Sequence, residues 1–193
     1  MKNDKPLGEK LGWHTKETAY PFVTNWLTIR QDRIEIEGKG EIEYAYRESR
    51  GAVLIVPVTR DKRMVLIRQY RYTVDDWCLE VPAGGMHDRE GIAPEEVARE
   101  ELHEEAGATC DELILISAVY SNNATTNEVM HVYLATGVEL SGTLSHEMTE
   151  QIEVVTMPTT EAMEMARTGA MKDALSALAV LQCEPQLRAL GLI

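Results

Sequence analysis

The sequence predicts an α/β (α+β) fold: a mixed β-sheet flanked by helices, with an antiparallel strand unit at its N-terminus. Three observations predict it. Residues 53–58, Val-Leu-Ile-Val-Pro-Val, are a continuous apolar run, as a strand buried on both faces requires. Shorter strand-like runs lie on both sides of it. A glutamate-rich, helix-forming segment follows Gly85, and helical periodicity sets in from about Thr160. Strands, a helix, more strands and closing helices suit one sheet with helices packed on it.

Residues 1–19 are polar and read as a loosely ordered lead-in. Residues 20–50 form the N-terminal strand unit: Ile34–Glu37 and Ile42–Tyr46 alternate, and Gly38 to Gly40 supply the turn between them. Residues 51–193 form the main domain. Val53–Val58 is its central strand, with Pro57 near the end or at a bulge, because proline cannot donate to a ladder. Asp61 and Lys62 turn the chain into Met64–Ile67, a hairpin partner, and Trp77–Val81 leads into a glycine loop. Glu112–Ile116, Val129–Leu134 and Ile152–Thr156 are further strands, and a polar loop, 121–128, separates the first two. Ala162, Met165, Ala166, Leu175, Leu178 and Leu181 set the closing helical pattern.

The acidic segment holds six glutamates and one arginine between Glu95 and Glu105. On a helix, Glu101 and Glu105 stand one turn apart with Glu104 between them. Gly107 is a C-terminal stop, where the helix dipole disfavours Glu104 and Glu105. A bound cation would turn that penalty into a site; a solvated acidic helix is the alternative.

Composition narrows the function classes. The chain has 193 residues, enough for one sizeable core, and 44% hydrophobic with 26% charged residues is ordinary for a soluble domain. A formal net charge of -13 leaves no basic stripe for nucleic acid, although a small phosphate-bearing substrate needs only local arginines and a metal. Cys78, Cys110 and Cys183 are odd in number and lack metal spacing. Neither a signal-peptide run nor a membrane-length stretch is present, so a cytoplasmic location is expected.

Gly84, Glu90, Glu101, Leu102, Glu104, Glu105, Gly107 and Ala108 together resemble the Nudix box of the Nudix hydrolases. The pattern departs in its middle. Two extra residues precede the helix, Glu100 stands where the family has arginine, and Arg99 is one position early. Arg68–Arg71 ahead of Trp77–Gly84, with Asn25–Leu27, Arg30 and the helical tail, is similar to the ADP-ribose pyrophosphatase branch. The resemblance covers roughly residues 20–182. It implies a Nudix-type mixed sheet, a divalent metal (Mg²⁺, with Mn²⁺ as the alternative) and a nucleotide-sugar substrate. It also implies a homodimer that exchanges the N-terminal strands.

Residue by residue, the resemblance implies metal ligation by Glu101, Glu104 and Glu105, with the Gly84 carbonyl a lesser ligand and Glu90 supporting the loop. Hard oxygen donors suit Mg²⁺. Arg71 is the first candidate for a phosphate or ribose contact, followed by Arg47 and then Arg68, because guanidinium grips phosphate in a bidentate way. Trp26 is read either as a base-stacking residue or as a packing or interface residue. Glu128 matches the acidic residue that ends the branch's loop and serves as general base; a strand-start surface glutamate is the alternative, with Glu150 and Glu153 in reserve. Loop 121–128 lacks the branch's usual proline. That keeps other nucleotide sugars open, UDP-glucose or GDP-mannose among them, and Glu100 keeps open a nucleotide sensor without turnover.

Overall fold

The computed structural model describes residues 5–86, 91–140, 142 and 151–193. The chain divides into two units, one made of residues up to Ser49 with Asn122–Glu128, the other of Arg50–Ser121 with Val129–Ile193.

The first unit contains a short helix α1 (Pro6–Lys10) and strands β1 (Trp13–Val23), β2 (Thr28–Ile36) and β3 (Gly40–Glu48), in one antiparallel sheet of order β1-β2-β3. The β2–β3 hairpin pairs from Thr28↔Glu48 to Ile36↔Gly40, and Gly38 and Gly40 take the positive φ that its turn needs. Two expectations are corrected here. Residues 1–4 of the polar lead-in lie outside the described residues; the rest holds α1 and most of an eleven-residue strand, and the strand pair is a three-stranded sheet. β1 is exposed along nearly its whole length, so no buried face imposed an apolar alternation on it. Its ladder to β2 and cross-strand ion pairs such as Arg33–Glu17 hold it instead.

The interior of this unit is mixed, with a buried ion pair beside Ile34 and Tyr46. Arg30 and Asp32 are almost fully buried and joined through Nε at 2.9 and 3.1 Å, while Arg30 also reaches Glu48 at 3.2 Å. Burial alone would raise the Asp32 carboxyl, but the Arg30 and Thr18 hydrogen bonds outweigh it and hold it below its ordinary range. Tyr46 is buried, whereas Trp13, Tyr20, Phe22, Trp26 and Tyr44 are exposed.

The second unit is built on an eight-stranded sheet of β4 (Ala52–Thr59), β5 (Arg63–Arg71), β6 (Asp76–Glu80), β7 (Ala83–Gly85), β8 (Ala108–Thr109), β9 (Glu112–Tyr120), β10 (Val129–Leu140) and β11 (Ile152–Pro158). Its main path runs β11-β5-β4-β10-β8, with β6 paired to β5, β7 to β4 and β9 to β10. β4 and β10 are parallel and the other pairs antiparallel, which makes the sheet mixed. β4 is the buried centre. Its odd residues Val53 and Ile55 pack with Val97, Leu102 and Ala106 of α2 (Pro94–Ala106). Its even residues Leu54, Val56 and Val58 pack on the opposite side with Met163 of α3 (Thr159–Thr168) and with Ala179, Val180 and Leu187 of α4 (Ala174–Ala189). Cover on both faces is why the run is continuously apolar.

β4 changes partner along its length. It pairs β7 from Ala52 to Leu54 and β5 at Val58, and Pro57 falls between those pairings, where a missing N–H costs little. No helix among the described residues is long and apolar enough to cross a membrane.

Candidate active site

Where β4 changes partner, the chain from β6 to β7 must cross from β5 to β4, and its backbone groups leave the ladder. They are closed by other donors and acceptors. Ile55 N–H donates to the Pro82 carbonyl at 2.9 Å. Val81 N–H donates to Ser176 Oγ of α4 at 3.0 Å, and Ala83 N–H donates to Glu105 Oε2 of α2 at 2.8 Å. Buried amides demand such partners. One of the two is therefore a buried carboxylate, with Glu105 only 4% exposed.

One residue further on, Gly84 pairs with Val53, and a Cβ built on it would lie 2.0 Å from Glu101 Cδ. Only glycine lets the Glu101 carboxyl press so near this backbone. α2 starts at Pro94, with Glu95 and Glu96 in its first turn, and ends at Gly107 in the left-handed region. Its buried side holds Val97, Ala98, Leu102 and Ala106, and Glu101 and Glu105 follow one another along a neighbouring stripe. Glu104 is half-buried, whereas Glu100 and His103 are exposed.

Beside the crossing, Arg71 grips Glu80 with both oxygens engaged: Nε to Oε1 at 2.8 Å and Nη2 to Oε2 at 2.5 Å. The Glu80 hydrogen bond is the largest influence raising the Arg71 guanidinium above its ordinary value, and Glu105 and Asp173 add to it. Arg68 pairs with Glu153 at 2.9 Å and lies 4.6 Å over the Trp77 ring.

In the first unit, Glu128 is buried and held by Arg47 Nη2 and Ser49 Oγ, both at 3.0 Å. The loop before it is stitched to β3: Arg47 N–H donates to the Thr125 carbonyl, Ser49 N–H to Asn127 Oδ1, and Tyr44 hydroxyl to the Ala124 carbonyl. Trp26 lies in the β1–β2 turn, 62% exposed, with its N–H on Thr24 Oγ1.

The NUDIX domain family model matches residues 48–178, more than half of the chain. The chain belongs to the Nudix family. Among its relatives, an ADP-ribose pyrophosphatase of Bacillus subtilis (strain 168) is 30% identical over 142 residues, which cover 72% of this chain and 76% of that protein. A GDP-mannose pyrophosphatase of Salmonella arizonae is 30% identical over 164 residues, covering 81% and 82%. A solved structure of an ADP compounds hydrolase superposes with a TM-score of 0.79 at 19% identity, over 94% of this chain and 97% of that one. That likeness bears on the fold, the Nudix-type mixed sheet the sequence implied.

In Nudix terms, the structure gathers Gly84, Glu101 and Glu105 at the box, with Glu104 on the same helix and Arg71 alongside. It pairs Arg47 with Glu128 inside the other unit. Glu90 and Glu150 lie outside the described residues. Arg99, next to the family's arginine position, is an exposed partner of Glu95 at 3.2 Å and of the Cys110 thiol. Among the described residues, no three His, Cys, Asp or Glu side chains stand close enough to hold a metal ion as they are placed. The donor set still fits a hard divalent ion: Glu101 packs against the Gly84 backbone and Glu105 is fixed by an amide. Mg²⁺ habitually fills its remaining positions with water and substrate oxygens. Three residues escaped the sequence reading: Glu80, Ser49 and Ser176. For Glu80 the signal was available, a charged residue between Leu79 and Val81 in an otherwise apolar strand end.

Proposed function

We propose that this Nudix hydrolase cleaves the diphosphate linkage of a nucleoside-diphosphate sugar, with ADP-ribose the favoured substrate. Water adds across the linkage, giving AMP and ribose 5-phosphate. The observation that carries this is the pair of α2 carboxylates fixed on the β7 backbone, Glu105 by the Ala83 amide and Glu101 against Gly84. Glu101, Glu104 and Glu105 would hold the metal, Mg²⁺ or alternatively Mn²⁺, with the Gly84 carbonyl a further ligand. When bound, that ion neutralises diphosphate charge and acidifies water. Arg71 contacts phosphate, with Arg47 a second candidate; Glu128 accepts the proton of the attacking water as general base, with Glu150 and Glu153 in reserve. Trp26 stacks on the base or packs in a dimer.

A homodimer formed through residues about 22–48 suits the exposed aromatic groups of the three-stranded sheet, since small sheets need a partner surface. Three free cysteines, one of them buried, suit a reducing cytoplasmic setting. A second reading, a GDP-mannose or UDP-glucose type substrate, draws support from the GDP-mannose pyrophosphatase relatives and from loop 121–128, which has no proline. Product chromatography across ADP-ribose, GDP-mannose and UDP-glucose with Mg²⁺ tests both. AMP with ribose 5-phosphate as the dominant products supports the first. Binding without turnover of any of them would leave only a sensor.

A further inference from the structure

We propose that Glu80 is a positioning residue that aims Arg71 at the substrate's diphosphate, an inference that rests on the function proposed above. Glu80 is 5% exposed, and its two oxygens take Nε and Nη2 of Arg71. The Arg71 side chain is 42% exposed, and among the described residues nothing accepts from its third nitrogen, Nη1. A guanidinium is planar and rigid, so fixing two nitrogens fixes the direction of the third. The carboxylate thus takes the buried edge of the fork and leaves the outer edge for a phosphate oxygen.

The location supports that role. Glu80 ends β6, immediately before the Val81–Ala83 crossing, whose amide is held by Glu105. Arg71 lies near enough to Glu105 to feel its charge. An arginine free to swing would fall back onto those carboxylates and bridge them. Held by Glu80, it stays beside the box as a fixed cation, so less ordering is needed when the anion arrives.

The sign of one substitution separates this from a plain counter-ion. Removing the Glu80 charge by Glu80→Gln takes a negative group away from an incoming polyanion, which by itself would tighten binding. If Glu80 aims Arg71, binding weakens instead: KM rises about tenfold while kcat stays within about threefold. Calorimetric titration with inorganic pyrophosphate should weaken by a similar factor. Arg71→Lys, on a half-exposed residue that leaves the fold intact, supplies the second arm. Lysine can serve Glu80 or a phosphate but not both, so the same rise in KM is expected. An unchanged or lowered KM in Glu80→Gln, or wild-type pyrophosphate affinity in folded Arg71→Lys, overturns the proposal. A wild-type chain that binds pyrophosphate yet cleaves no nucleotide sugar removes the proposed reaction. The pyrophosphate titrations of the two variants then decide Glu80 alone.

Discussion

Gly84→Ala separates the fold from the chemistry at the box. The added Cβ would sit 2.0 Å from Glu101 Cδ and 2.1 Å from its Oε1, whereas ordinary contact begins at 3.4 Å. The carboxyl must therefore retreat by about 1.4 Å, which the end of a flexible side chain can do. The backbone need not move, because Gly84 is not in the left-handed region and alanine fits its φ. Stability should stay level or rise by about 0.4–1 kcal/mol, since alanine loses less freedom on folding. Catalysis should not stay level. A misplacement of about 1 Å in a reacting constellation costs about 10²-fold, so kcat/KM should fall by that order. Mn²⁺ affinity, read by electron paramagnetic resonance without substrate, should fall with it. Thermal unfolding, metal titration and steady-state kinetics on one preparation make the comparison. Wild-type kcat/KM and Mn²⁺ affinity in a folded Gly84→Ala protein would refute the placement of Glu101 at the metal.

The remaining predictions concern the helix, the loop and assembly. Glu105→Gln and Glu104→Gln should each lower turnover by orders of magnitude in a folded protein, while exposed Glu95→Gln is neutral; equal behaviour of all three in rate assays reduces the helix to a solvated face. Glu128→Gln should depress the single-turnover chemical step by about 10²–10⁴-fold with affinity unchanged, and an unchanged step moves the base to Glu150 or Glu153. Light scattering at micromolar concentration should give about twice the 21.7 kDa chain mass, and a fully active monomer removes the dimer.

What the sequence made legible follows from which residues had a face to bury. β4 was legible because cover on both sides forces an unbroken apolar run, and α2 because its helix-forming glutamates run up to the Gly107 stop. β1 was hidden for the opposite reason: exposed along its length, it can be polar throughout and still pair. The candidate site was legible where its residues share one element. Glu101 and Glu105 are one turn apart on α2, so spacing reveals their common stripe. Arg47 and Glu128 are 81 residues apart, and each was read separately as a substrate contact and a base. Nothing local marks them as partners. Arg71 was read only as a phosphate or ribose contact for the same reason, since its partner Glu80 belongs to the next strand.

The crossing at residues 81–83 explains how a carboxylate proposed to hold the metal can also be a structural one. When β6 hands the chain over to β7, the Val81 and Ala83 amides lose strand partners. α4 closes the first with a neutral hydroxyl, and α2 closes the second with Glu105. An apolar residue at 105 would leave the part-buried Ala83 N–H without its partner, at a cost of up to about 1–3 kcal/mol, so loss of activity in Glu105→Leu could come from either cause. Glutamine keeps a side-chain oxygen for the Ala83 amide and removes only the charge. Wild-type unfolding temperature combined with a loss of turnover in Glu105→Gln would then assign the loss to the carboxylate's charge and not to the strand it holds.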